Sequence, residues 1–189
     1  SKIYLVLDYP PKDTIQEPYL ATKKLFEEFK HTGEIIYMFA NRHMGLYQRW
    51  HSGLDEIFKK EKSLIILEDD TLPSKTFFQF CDQMLVKYQD NHQISQINGY
   101  NYRSRVNITE SYYFSNISEL WGWATWSDRW LRYNNGDFEK WEQFKNDENY
   151  TKNFVNSTEY DYYYKIFDDA HKDIINSWEY NWVFSLKLH

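Results

Sequence analysis

The sequence predicts an α/β domain: a mostly parallel sheet flanked by helices, with a mixed, largely helical C-terminal part. Three observations carry this reading. Short apolar runs at Lys2–Leu7, Glu34–Phe39 and Leu64–Leu67 have the length and continuity of strands in a covered sheet. They alternate with segments of helical periodicity in the order β-α-β-α-β-α-β. Two of the runs end in carboxylates, Asp8 after the first and Glu68-Asp69-Asp70 after the third. The carboxyl edge of an open sheet is where ligands bind.

In chain order, Lys2–Leu7 is the first strand, broken by Tyr9-Pro10-Pro11. Asp13-Thr14 is expected to cap the next helix, with Tyr19, Leu20, Leu25, Phe26 and Phe29 on its apolar face. Gly33 ends that region and Glu34–Phe39 is the second strand. Asn41-Arg42-His43-Met44-Gly45 is a loop, followed by a helix over Leu46–Lys60 with Leu46, Trp50, Leu54, Ile57 and Phe58 inward. After the central strand, Pro73 closes the acidic segment and a helix runs over Ser74–Asp90. Gln93–Gly99 reads as a strand ending in a turn, and Ser111–Ser115 as a further β-prone run. Leu120–Trp126 is dense in Trp around Gly122, and Ser127-Asp128 caps a helix through Tyr133. Asn134–Gly136 is a turn, Phe138–Ile175 is helical and rich in Tyr, and Trp178–Leu186 closes the pattern.

The bulk properties set limits. The 189 residues suffice for one domain with a sizeable core. No apolar run approaches the ~18 residues of a membrane span. A net charge of −6 argues against a nucleic-acid backbone as partner, but not against a nucleotide held through a metal ion. The single cysteine, Cys81, permits no internal disulfide and fits a reducing, cytoplasmic compartment. Its neighbours Phe77, Phe78, Phe80 and Leu85 mark it as a small core residue. Aromatic residues make up 20% of the chain; they stack on sugars and bases but also fill cores, so composition does not choose the ligand.

Three adjacent acids repel one another, so the natural partner of Glu68-Asp69-Asp70 is a cation. Hard carboxylate oxygens suit Mn²⁺ or Mg²⁺, ions that commonly also hold substrate phosphates. The competing reading of such a cluster is a solvated turn or a set of helix N-terminal charges.

Taken together, four local patterns resemble GT-A glycosyltransferases, in particular bacterial nucleotide-diphosphosugar transferases related to animal N-acetylglucosaminyltransferase I. The patterns are Asp8 after the first strand, Asn41-x-x-x-Gly45 before a helix, Leu67-Glu68-Asp69-Asp70 with Pro73 and Phe77-Phe78, and Trp121-Gly122-Trp123-Ala124-Thr125-Trp126. They span roughly residues 1 to 132. The resemblance implies a GT-A, Rossmann-like fold over 1–189, with a nucleotide-sugar-binding part at 1–100 and an acceptor-side part at 101–189. It implies that Asp8 contacts the base of the donor, that Glu68 and Asp69 face its sugar and ribose, and that Asp70 ligates Mn²⁺ (or Mg²⁺) bridging its phosphates. Gly122 and Trp123 would lie beside donor sugar and acceptor. Asn41 and His43 fall in the loop where a diphosphate would lie. Trp178-Glu179 is the nearest match to the family's late Trp-acid pair, making Glu179 the candidate catalytic base. Family members carry one more βα unit ahead of the position of Lys2 and a segment beyond His189, so the resemblance implies a fragment of such a domain.

The expected chemistry is metal-dependent, inverting transfer of a sugar, with UDP the expected nucleotide, to a hydroxyl of a glycan or glycosylated acceptor. Asp161, Asp168 and Asp169 are alternative bases, and Arg103 and Arg105 alternative phosphate contacts. Two other classes stay open: a nucleotidyltransferase, which lacks its Gly-rich phosphate loop here, and a non-catalytic carbohydrate- or nucleotide-sugar-binding domain, which would not need the acid triplet. Oligomeric state and donor sugar are not encoded in any pattern found.

Overall fold

The computed structural model describes residues 2–101, 109–133, 140–175 and 177–188. The turn expected at Asn134–Gly136 and the phosphate contacts expected of Arg103 and Arg105 lie outside these residues. The described residues form an α/β structure in the order β1 (Lys2–Leu7), α1 (Glu17–Glu28), β2 (Glu34–Phe39), α2 (Leu46–Phe58), β3 (Ser63–Ile66), α3 (Phe77–Lys87), β4 (Ile97–Asn98), β5 (Trp123–Trp126), α4 (Ser127–Tyr133), α5 (Trp141–Phe144), α6 (Glu148–Thr151), α7 (Ser157–His171) and α8 (Glu179–Leu188).

The sheet departs from the expected one. β1 and β2 form a parallel pair in register from Lys2 opposite Glu34 to Leu7 opposite Phe39. A separate three-stranded sheet has the order β3-β5-β4, and β5 runs antiparallel to both neighbours. A mostly parallel single sheet is therefore corrected to two small sheets, one of them antiparallel. Gly122 makes the second sheet possible. It turns at φ +75° into β5, a backbone conformation glycine adopts without penalty, and its carbonyl accepts the Gly99 N–H at 2.8 Å.

Alternation along β5 divides the core into two layers. Ala124 and Trp126 face α3 and pack with Phe77, Cys81, Met84, Leu85 and Ile97. Trp123 faces the other way, into a cluster with Trp130, Trp141, Phe167, Trp178, Trp182 and Phe184 from the C-terminal helices. Rings connect this second layer: Trp50 stacks on Trp178 at 4.4 Å, Trp178 meets Trp123 at 6.1 Å, and Trp182 lies 5.6 Å from Trp123 and 5.4 Å from Trp130. Their polar edges are used, Trp182 Nε1 donating to Gln96 at 2.6 Å and Trp130 Nε1 to Asp55 at 2.7 Å. Burying each such ring contributes about 1.5–3 kcal/mol, which explains why a Trp- and Tyr-rich tail folds back over the sheet. Cys81 is fully buried, as expected, and burial alone pushes its thiol up to about 12.

Four local expectations change. The first helix starts at Glu17 with no side-chain cap, because Pro18 supplies a preset φ in its first turn. Asp13, at φ +70°, and Thr14, whose hydroxyl donates to the Pro11 carbonyl at 2.7 Å, make the preceding turn instead. Leu20, Leu25 and Phe29 of α1 are exposed, only Tyr19 and Phe26 of the predicted face being covered. Ser111–Ser115 pairs with no strand among the described residues, and the strand expected over Gln93–Gly99 is confined to Ile97–Asn98. No helix of the described residues is long and apolar enough to cross a membrane.

Candidate functional site

The predicted residues fall into two groups. The first joins the carboxyl ends of β1 and β2. Asp8 accepts the backbone N–H groups of Tyr9 at 2.9 Å, Met44 at 3.0 Å and Gly45 at 2.9 Å. His43 Nδ1 lies 2.8 Å from the Tyr9 carbonyl and 3.1 Å from Asp8 Oδ2. Both neighbours are acceptors, so Nδ1 carries the hydrogen. Asp8 therefore clamps the loop that opens α2, with Gly45 at φ +80° entering the helix. Arg49, which the sequence reading missed, donates to the Leu7 carbonyl at 3.2 Å and to the Met38 carbonyl. It ties the ends of β1 and β2 together beside Asp8. Asn41 is exposed on the same loop.

The second group sits where β3 ends. Thr71 N–H closes a turn onto the Glu68 carbonyl at 3.1 Å, which leaves Asp69 and Asp70 exposed and Glu68 turned partly inward. Glu68 Oε1 is buried without a hydrogen-bond partner. Its carboxyl is pushed up to about 7, first by burial, then by repulsion from Glu179 and Asp70, with a Trp178 hydrogen bond opposing. Glu179, the first residue of α8, is also raised, by burial and then by Asp70. The last helix thus delivers its carboxylate to the acids that follow β3. Glu119 joins them, raised by burial and by Glu179; no local pattern marks it, because its neighbours come from distant parts of the chain.

Asp70 and Gly122 line a cleft of about 460 Å³ together with Thr71, Ser74, Phe77, Gly99, Tyr100 and Trp121. Its volume lies in the range of small-ligand sites. Trp123 does not reach it: its side chain is fully buried in the core, and Trp121 is the Trp exposed to the cleft. The reason is the pleat of β5, which turns Trp123 into the helical layer. The glycine at 122 is required by its φ of +75°; an added Cβ would make only ordinary contact, at 3.4 Å, with Leu67, Phe77 and Thr71.

The loop carrying Glu119, Trp121 and Gly122 is held by Gln96. Its Nε2 donates to the Glu119 carbonyl at 2.9 Å, and its Oε1 accepts Ser118 at 2.7 Å as well as Trp182. The alternative bases are elsewhere. Asp168 is hydrogen-bonded to Lys172 and Trp141, which holds it below the usual carboxylate range, Asp169 pairs with Lys165, and Asp161 is exposed on α7. Among the described residues no three His, Cys, Asp or Glu side chains form a ready-made metal group. Comparison of the chain with models of known protein families, with characterised proteins and with solved structures finds no match in any of the three.

Proposed function

We propose that the chain carries a GT-A type glycosyl-transfer site that moves a sugar from a nucleoside-diphosphate donor to an acceptor hydroxyl. One observation carries the reading: Glu179, from the last helix, lies near enough to the acids after β3 that two carboxyls are raised, first by burial and then by repulsion, Glu68 by Glu179 and Asp70, and Glu179 by Asp70. Helix–sheet packing has assembled a half-buried acid cluster beside an open cleft, which a solvated turn does not need.

The acids fit a divalent cation. Asp70 opens to the cleft as a hard oxygen donor; burial is the first cause that lifts Glu68 and Glu179, and the negative charge that adds to it is what a cation relieves. With a single carboxylate as protein ligand, phosphate oxygens and water would supply the remaining positions, as Mn²⁺ and Mg²⁺ sites commonly arrange. When bound, the ion would supply Lewis-acid neutralisation of the leaving diphosphate.

The chain's own residues perform the remainder. Glu179 accepts the proton of the acceptor hydroxyl as its oxygen bonds to the sugar's anomeric carbon. The bond from that carbon to the diphosphate breaks, and its electron pair leaves with the nucleotide. A carboxyl raised by burial is the better base for this step. A single base opposite the leaving group corresponds to one displacement with inversion. Asp8 and His43 hold the loop at the ends of β1 and β2, where the donor's nucleotide would sit.

Nucleotide release from UDP-sugars tests this. In Mn²⁺ with simple glycosides as acceptors, release is expected to exceed the no-enzyme rate, to stop with EDTA, and to fall at least about 100-fold in Glu179→Gln. Release unaffected by EDTA and by Glu179→Gln would overturn the proposal.

A further inference from the structure

All eight tryptophans lie within the described residues, and Trp121 is the one that is exposed, at 58%. The others are buried in the core or half-covered by it. Trp121 has no role in the two core layers, and it stands in the wall of the 460 Å³ cleft. Tyr100 meets its ring edge-on, with centroids 5.3 Å apart and planes at 61°. The contact orders the two rings at little cost in side-chain freedom, since each has only two torsions to fix. Asp70, Thr71 and Ser74 line the same cleft, as does Leu72, which is 96% exposed.

The wall therefore combines one flat apolar face with a carboxylate and two hydroxyls. Charge selects among ligands for such a wall. Asp70, backed by Glu68 and Glu179, repels phosphate unless a cation intervenes, so the part of the cleft at Trp121 suits a neutral group. A pyranose matches it, with a flat face of C–H bonds to lie on the indole and a rim of hydroxyls to donate to Asp70 and exchange hydrogen bonds with Thr71 and Ser74. A purely apolar ligand would leave Asp70 desolvated and unpaired, which costs free energy.

We propose that Trp121 and Tyr100 form a stacking subsite for a neutral pyranose ring, and that this ring belongs to the acceptor. The assignment to the acceptor rests on the glycosyl-transfer reading; the subsite itself does not.

Saturation-transfer NMR on the full chain tests it, using cellobiose, lactose, maltose and N,N′-diacetylchitobiose as probes. Each is measured in EDTA and again in Mn²⁺ with UDP, on wild type, Trp121→Ala and Trp121→Phe. At least one disaccharide is expected to receive transfer, strongest on the C–H protons of one ring face, in EDTA as well as in Mn²⁺. Its affinity should fall about five- to ten-fold in Trp121→Ala and stay within about three-fold in Trp121→Phe. Because Trp121 is exposed, both variants should keep the wild-type circular dichroism. Transfer to no disaccharide in either condition, or equal affinity in Trp121→Ala, overturns the subsite. Saccharide binding that follows this pattern while UDP fails to bind in Mn²⁺ keeps the subsite and removes the transfer reading. Manganese-dependent UDP binding without any Trp121 effect does the reverse.

Discussion

The Glu68 carboxyl, with one oxygen buried and unpaired, holds its proton up to about pH 7, against an ordinary value of 4.5 in the unfolded chain. Between those values the folded chain binds more protons than the unfolded one. The contribution of this group to stability is thus fully present below pH 4.5 and is lost as pH rises towards 7. Glu68→Gln removes the titration. In metal-free buffer the variant is expected to match wild type at pH 5 and to exceed it at pH 8 by about 1–2 kcal/mol, a figure discounted for the solvent that reaches a half-buried group. Urea denaturation at the two pH values checks it; an equal difference at both would mean that Glu68 is not perturbed. At this scale the sequence was partly legible. Glu68, Asp69 and Asp70 stand out because they are adjacent and follow an apolar run. Glu119, Gln96 and Arg49 do not, since each acquires its role from partners brought near by folding. Trp123 was misread as a site residue because a Trp-Gly-Trp string does not say which indole the pleat turns inward.

At the scale of elements, α8 does two things: its first residue enters the acid cluster, and its Lys187 anchors the far end. Lys187 Nζ pairs with Glu159 Oε1 of α7 at 2.6 Å, both side chains being largely buried, and donates to the Asn116 carbonyl at 3.1 Å. It also lies 5.2 Å from the Phe154 ring and 5.1 Å from that of Tyr163. The loop leading to Glu119 and Trp121 is therefore tied to the two helices that cover the core. Lys187→Met should cost about 3 kcal/mol, because it leaves the largely buried Glu159 carboxylate without its cation, with only the Val155 N–H still donating to it. Adding Glu159→Leu should recover most of the loss. Denaturation midpoints of the single and double variants measure this, and equal midpoints for Lys187→Met and wild type would mean the pair contributes nothing. The helices α2, α3 and α4 were legible from periodicity, although Ser127 and Asp128, expected to cap α4, lie within its first turn. β5 was not, because four residues with two large rings carry no alternation that separates a strand from core filler. The first helix was misplaced by a capping signal that lost to Pro18.

For the whole molecule, the α/β class was legible and the sheet was not. A continuous apolar run says that a strand is covered on both faces, and α3 and the Trp-rich helices do cover β3. It does not say in which direction the neighbouring strand runs, and β5 runs antiparallel. β1 and β2, read as buried, are only half-covered, Val6 and Tyr37 being exposed, and no ladder joins them to β3 among the described residues. What the two sheets share is polarity of chemistry: each places acids at the carboxyl end of a strand, Asp8 on β1 and Glu68 to Asp70 after β3. Calorimetric titration of UDP into the chain, in Mn²⁺ and in EDTA, with wild type and Asp70→Ala, tests whether Asp70 holds the donor through a metal ion. One-to-one binding is expected in Mn²⁺, disappearing in EDTA and weakening at least about ten-fold in Asp70→Ala. Binding that is equally strong in EDTA, or unchanged in Asp70→Ala, would contradict that role.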